Sequence, residues 1–268
     1  MFESLSVRVD GAIGELRLER PEKLNPLSVG MLEEIVRAAR YFDEARGVKV
    51  VVVRGSGASF SSGADLASFG GVEGRTTREV AELGRAMADS LEAMRAITIA
   101  AIRGWCIGGG VVLASACDLR IASEGARFSI PEVDLGIPLA WGGIPRLVRE
   151  LGPARTKELV LTCRPFEAEE ARAAGFLNRV VADDQLDREV AELAASLSKK
   201  ASHALFSTKR HVNAVTDQMV GTMRSWSDAD GLVTAFADEE CAAARRDYLH
   251  SHLRSHLRSH LPSRRRSD

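Results

Sequence analysis

Two short stretches near the start of the chain alternate apolar and polar residues. Leu5-Ser6-Val7-Arg8-Val9 does so before an Asp10-Gly11 turn, and Ile13-Gly14-Glu15-Leu16-Arg17-Leu18 does so after it. That pattern predicts a hairpin with one wet face. Ser28 stands as an N-cap before apolar Met31, Ile35, Ala38 and Phe42, which share one helix face, and Gly47 closes the helix. Residues 48–53 are β-branched almost throughout, which predicts a strand buried on both faces. A polar Gly/Ser loop runs over residues 55–63. Residues 70–74, with three glycines, are expected to be mobile, and an amphipathic helix starts at Thr77 with Val80, Leu83, Met87, Leu91 and Met94 on one side. Residues 97–102 read as a second buried strand, and 119–122 and 126–129 as short ones. After a Pro- and Gly-rich loop over 131–143, the period becomes helical at 144–151, 155–162, 168–174, 185–198 and 202–215. Strand, strand, helix thus recurs through the first 130 residues, and the end is mostly helical, an α/β front with an α-helical close. No G-x-G-x-x-G follows the first strand, so a dinucleotide fold is not expected.

The stretch that organises the chain is Gly104 to Asp118. An apolar strand leads into Gly108-Gly109-Gly110, and these open Val111-Val112-Leu113-Ala114-Ser115-Ala116, a buried helix by composition. Glycine lets backbone approach a ligand closely and take positive φ at little cost. The first amides of the helix lack internal partners and suit an anion or a developing oxyanion. Taken alone, the glycines fit close helix–strand packing equally well.

Composition adds bounds. The chain has 268 residues, 45% hydrophobic and 27% charged, with a net charge of −1. It is an ordinary globular chain with no footprint for nucleic acid. No apolar run approaches membrane-spanning length, and the first residues lack the basic and apolar runs of a leader, so a cytoplasmic protein is expected. Cys106, Cys117, Cys163 and Cys241 form no CxxC pair and read as reduced thiols. From residue 250 onward the chain repeats Ser-His-Leu-Arg with five arginines and one aspartate. His252, His256 and His260 are spaced to share a helix face and bind a metal, but a basic low-complexity end is ordinarily disordered, and no metal site is expected.

Four segments stand in order: Arg20-Pro21…Leu24-Asn25, Ser62-Gly63-Ala64-Asp65-Leu66, Gly108-Gly109-Gly110 with Cys117-Asp118 behind it, and Pro131-Glu132…Leu135-Gly136-Ile137. In that order and spacing, over about residues 5–215, the sequence resembles the enoyl-CoA hydratase/isomerase (crotonase) superfamily. The resemblance implies a crotonase-like spiral of ββα units over residues 1–197. It also implies a helical oligomerisation region over 198–249, ahead of the 250–268 tail. The substrate is an acyl-CoA, coenzyme A enters only as part of it, no cofactor is implied, and the assembly is a homotrimer or a dimer of trimers without nucleic-acid or membrane partners.

The resemblance also implies roles. The amides of Ala64 and Gly109 hold the thioester oxygen, and Glu132 is the base. Arg20, Lys23 and Lys209 match positions that contact the phosphates or adenosine of coenzyme A, while Asp65, Leu66 and Gly108 lie in the substrate-binding turns. Hydratases of the family carry a second glutamate two residues after the glycine turn; here that position is Val112. Valine cannot orient water or exchange a proton, so paired acid–base hydration loses one partner. A single carboxylate suffices to move a proton from C2 to C4, which favours Δ3,Δ2-enoyl-CoA isomerisation over the hydratase (lyase) reaction. One-glutamate hydration, another thioester reaction of the superfamily, and an inactive acyl-CoA-binding protein are the alternatives. Burial in an apolar pocket is expected to raise the pKa of Glu132. Trp141 stands where the family often has a small residue, either narrowing the acyl pocket or packing in the core. Asp134 reads as a surface acid and Asp118 as a structural one. Near the C-terminus, residues 237–242 lack the glycine usual in the family.

Overall fold

The computed structural model describes residues 2–66, 75–225 and 227–259. Strands β1 (Leu5–Asp10) and β2 (Ile13–Leu18) form the expected antiparallel hairpin, with Leu16 opposite Val7. Helix α1 (Val29–Glu44) starts where Ser28 Oγ accepts from the Met31 amide, and buries Met31, Ile35, Ala38 and Phe42. β3 (Val50–Gly55) then pairs in parallel with β2. Helix α2 (Thr77–Ala93) is closed at its start by a capping box, with Thr76 Oγ1 accepting from the Glu79 amide while Glu79 accepts from the Thr76 amide. The segment 70–74, expected to be mobile, lies outside the described residues.

From here each unit has one strand in each of two sheets. β4 (Ile97–Ile102) pairs with β3, the chain turns at Gly104 with φ +55, and β5 (Trp105–Ile107) enters a second sheet. After α3 (Gly109–Ser115) the step repeats: β6 (Leu119–Ser123) pairs with β4, and β7 (Arg127–Ser129) pairs with β5. Helix α4 (Gly143–Thr162) is broken at Gly152, φ 74 and ψ 164, before Pro153, which accounts for the two shorter helices expected there. β8 (Phe166–Glu167), α5 (Ala168–Ala173), β9 (Arg179–Val181), α6 (Leu186–Ser198), α7 (Ser202–Val220), α8 (Asp228–Ala237) and α9 (Glu239–Ser259) follow. The larger sheet has the order β1-β2-β3-β4-β6-β9, and the smaller β5-β7-β8. An isolated parallel bridge from Ser61 to Cys106 attaches the segment after β3 to the smaller sheet, so the ββα unit recurs in space as well as in sequence.

The strand residues divide by pleat. Val51 and Val53 face the main core with α1, while Val50, Val52, Ile99 and Ile121 face Leu186, Val190 and Ala194 of α6. Burial on both faces is why residues 48–53 show no polar alternation. Each such fully buried side chain contributes roughly 1.5–3 kcal/mol of transfer free energy.

The C-terminal region packs partly on its own chain. Within the segment read as a subunit contact, α8 packs on α2 of its own chain, and Gly231 lies so near Pro138 that a Cβ would be 3.3 Å from its Cγ. Helix α9 continues to Ser259, so residues 250–259 of the segment expected to be disordered are helical. The side chains of His252 and His256, and all of His260, lie outside what is described. No described helix is long and apolar enough to cross a membrane.

Candidate active site

The turn after β3 is built around Asn25. This residue is fully buried in the left-handed region (φ 57), a conformation asparagine tolerates better than most. Its Nδ2 donates to the carbonyls of Ser56 (2.8 Å) and Ser59 (2.9 Å), and its Oδ1 accepts from the Arg20 amide (2.9 Å). Ser61 Oγ donates to the Asn25 carbonyl (2.8 Å) and accepts from the Gly63 amide (3.2 Å). A parallel bridge joins Leu27 to Ala64 through the neighbours of Ala64: the Leu27 amide donates to Gly63 O (2.8 Å) and the Asp65 amide donates to Leu27 O (3.1 Å). In a parallel bridge of this kind the middle residue's own N–H points the other way. The Ala64 amide therefore faces away from residue 27.

The glycine turn comes up against this segment. Gly63 has φ +87, and a Cβ there would lie 2.7 Å from Ile107 O and 3.5 Å from the Gly109 nitrogen. The two turns are thus in van der Waals contact, with Ala64 and Gly109 on the wall of one cavity. The three glycines face different groups. A Cβ at Gly108 (φ +49) would collide with Glu132 Oε1, one at Gly109 with the ring of Trp141, and one at Gly110 would lie 2.9 Å from Ser61 Cβ.

Glu132 sits on a tight turn in which the Leu135 amide donates to Pro131 O (3.0 Å) and the Ile137 amide to Glu132 O (2.9 Å). The Asp134 amide donates to Cys163 Sγ (3.4 Å), and Gly136 is pressed against Cys241 at the start of α9. Glu132 is 8% exposed, and its Oε2 has no hydrogen-bond partner among the described residues. Burial pushes its carboxyl from the ordinary 4.5 to about 7. Tyr248 of α9 is near enough that the carboxylates of Asp134 and Glu132 add to burial in raising its phenol. Asp134 itself is exposed, as expected of a surface acid.

The cavity is small, about 40 Å³, and is walled by Ala64, Leu66, Gly109, Val112 and Trp141, the 137–140 loop, and Leu232 and Phe236 of α8. Glu132 is the one ionisable group among its described lining residues. Trp141 is in the left-handed region (φ 61), where a bulky residue is strained. Arg146, 1% exposed, holds it there. Its guanidinium donates to the carbonyls of Trp141 (3.3 Å) and Gly142 (3.2 Å) and pairs with Asp89 (2.8 Å) and Glu92 (2.5 Å) on α2. Asp228 of α8 accepts from the Gly142 amide at 2.8 Å. Sequence reasoning missed Arg146 and α8, and named Asn25 in a motif without reading its role in the turn. An arginine and an asparagine look like surface residues until the loop carbonyls they satisfy are known.

The other expected contacts divide. Arg20 pairs with Asp65 (2.9 Å) beside the Ala64 turn, and Lys23 is exposed on the same loop, its carbonyl accepting from Ser62 Oγ at 3.3 Å. Both stand on the loop that contacts the Ala64 turn. Lys209 does not. It is 7% exposed, its Nζ donates to Ala96 O (3.0 Å) and pairs with Asp118 (2.8 Å), and Asp118 also accepts from the Thr98 amide and hydroxyl. The ammonium is consumed in a buried network behind β4, so Lys209 is corrected from a coenzyme A contact to a structural residue, and Asp118 is its partner. Among the described residues no group of three or more His, Cys, Asp or Glu is placed to hold a metal ion.

Residues 8–251 match the family Enoyl-CoA hydratase/isomerase. A Crotonyl-CoA hydratase from Syntrophomonas wolfei is 34% identical over 89% of this chain and 93% of its own length. A peroxisomal Delta(3,5)-Delta(2,4)-dienoyl-CoA isomerase from Arabidopsis thaliana is 34% identical over 85% of this chain and 88% of its own. Among solved structures, an enoyl-CoA hydratase subunit from Geobacillus kaustophilus is 34% identical with TM-score 0.75, covering 93% of this chain and 96% of that one.

Proposed function

Starting from a chain that belongs to the enoyl-CoA hydratase/isomerase family, and so is an acyl-CoA enzyme, we propose that it catalyses Δ3,Δ2-enoyl-CoA isomerisation with Glu132 as the only proton carrier. The observation that carries this reading is the cavity wall, where one carboxylate with an unpartnered oxygen faces an otherwise apolar lining that includes Val112. Glu132 takes a proton from C2 of the 3-enoyl thioester and becomes a carboxylic acid. The electron pair moves toward the thioester carbonyl, and the amides of Ala64 and Gly109 stabilise the oxyanion. The same proton returns at C4, the double bond shifts to C2–C3, and Glu132 is a carboxylate again. Loss of one such amide donor costs about 3 kcal/mol of barrier. A carboxyl near pH 7 both accepts and releases the proton readily. A dry, apolar wall keeps water from the dienolate.

Hydration by one glutamate is the second reading, favoured by relatives whose names are hydratases. Purified enzyme is assayed with 3-butenoyl-CoA, the four-carbon 3-enoyl thioester, and with crotonyl-CoA. Isomerisation lost in Glu132→Gln supports the proposal. Crotonyl-CoA hydration faster than isomerisation replaces it by the second reading, and acyl-CoA binding with neither reaction replaces both by a carrier.

The same reading includes a homotrimer or a dimer of trimers. Val212, Val215 and Met219 of α7 recur on one helix face and are 58%, 48% and 75% exposed in the single chain. Light scattering on the eluting protein tests it; a monomeric mass would exclude it.

A further inference from the structure

One side chain in the wall of the cavity at Glu132 is seated against two glycines. The indole of Trp141 lies between Gly84 on α2 and Gly109 on the glycine turn, and a Cβ at either glycine would collide with its ring atoms. Its backbone is held at φ 61 by the buried Arg146 and by Asp228 through Gly142. A tryptophan used only to fill a core has no need of a strained backbone beside the reacting atoms. On the scale where one water fills about 10–15 Å³, a cavity of 40 Å³ takes about three small groups. A space of that size suits a short acyl end and not a fatty chain.

Resting on the acyl-CoA reading above, we propose that Trp141 is the specificity-determining residue of this site: seated on Gly84 and Gly109, it stops the acyl end so that the enzyme takes short-chain thioesters of about four carbons and turns away fatty chains. Arg146 acts through Trp141 as a positioning residue. The glycine at 84 belongs to the same device, since any side chain there would drive the indole into the cavity.

Binding tests this without requiring turnover. Calorimetric titrations use acetyl-, butyryl-, hexanoyl-, octanoyl- and decanoyl-CoA on the wild type, Trp141→Ala and Trp141→Phe. The wild type is expected to bind butyryl-CoA at least tenfold more tightly than decanoyl-CoA. In Trp141→Ala the order reverses, each added methylene tightening binding roughly fourfold up to octanoyl. Trp141→Phe falls between, and carries the test if the alanine variant does not fold. Wild type that binds decanoyl- and butyryl-CoA equally, or variants whose ratio stays within about twofold of wild type, overturn the proposal. Chain-length selectivity without isomerisation of 3-enoyl-CoA leaves the proposal standing and sinks the reaction assigned above. Isomerisation at equal rates for all chain lengths does the reverse.

Discussion

Replacing Glu132 by glutamine keeps the size of the side chain and removes its charge, so it separates what the carboxylate does for the reaction from what it does to the fold. The free carboxyl titrates near 4.5 and the folded one near 7. A raised folded value means that the native state holds the proton over a range where the unfolded chain has lost it. Stability therefore falls as pH rises from 4.5 toward 7, and stays at its reduced level above that. At about 1.4 kcal/mol per pH unit, the cost of carrying the buried charge at pH 8 is about 3 kcal/mol. Glutamine, neutral at every pH, does not incur it. Glu132→Gln is expected to be more stable than wild type by about 3 kcal/mol at pH 8 and by less than about 1 kcal/mol at pH 5. Urea denaturation of both proteins at the two pH values measures this, while 3-enoyl-CoA turnover by the variant disappears. Equal stability differences at pH 5 and pH 8, or a variant less stable than wild type at pH 8, would refute the placement of an ionised, unpaired carboxylate in a dry pocket.

The pH profile of kcat/KM should rise on a single limb through about pH 7, because only the ionised form of Glu132 abstracts a proton; a flat profile from pH 5.5 to 8.5 excludes Glu132 as the base. Gly108→Ala places a methyl on Glu132 Oε1 at a φ of +49, and should abolish activity with the circular dichroism of the fold retained. Lys209→Met strands Asp118 and should lower stability by about 3 kcal/mol while leaving KM for acyl-CoA unchanged; a raised KM with normal stability would restore Lys209 as a coenzyme A contact. Val112→Glu adds a second acid to the cavity wall, and should raise crotonyl-CoA hydration relative to isomerisation about a hundredfold; an unchanged ratio means that Val112 does not select the reaction.

Patterns that report on one element were legible in the sequence. The β1–β2 hairpin, the Ser28 cap of α1 and the doubly buried β3 each follow from alternation, capping chemistry or a β-branched run, and each is present. Features that need two distant segments were not. β8 has only two residues and β9 three, too short for any period, and they exist because β7 and β6 offer them edges. Lys209 and Arg20 look alike as isolated cations, but one meets Asp118 behind the sheet and the other Asp65 beside the site. The resemblance places residues 198–249 in an oligomerisation region, and nothing in the sequence shows that Leu232 and Phe236 of α8, within it, line a cavity of their own chain.

The triple glycine is where these levels meet. A run of three identical residues carries no information about why three are needed, and taken alone it fits tight packing as well as a ligand. In space each one faces a different partner. Gly108 makes room for the Glu132 carboxylate, Gly109 for the Trp141 indole, and Gly110 for Ser61, whose hydroxyl accepts from the Gly63 amide next to Ala64. A side chain at any of the three would displace one element of the chemistry and spare the other two. Glu132, Trp141 and the Ala64 turn are therefore referred to one short piece of backbone, which holds their mutual distances without a side chain of its own. Packing and function are not alternatives at this turn: on the proposed reaction, the packing is the means by which three separate loops are brought to bear on one thioester.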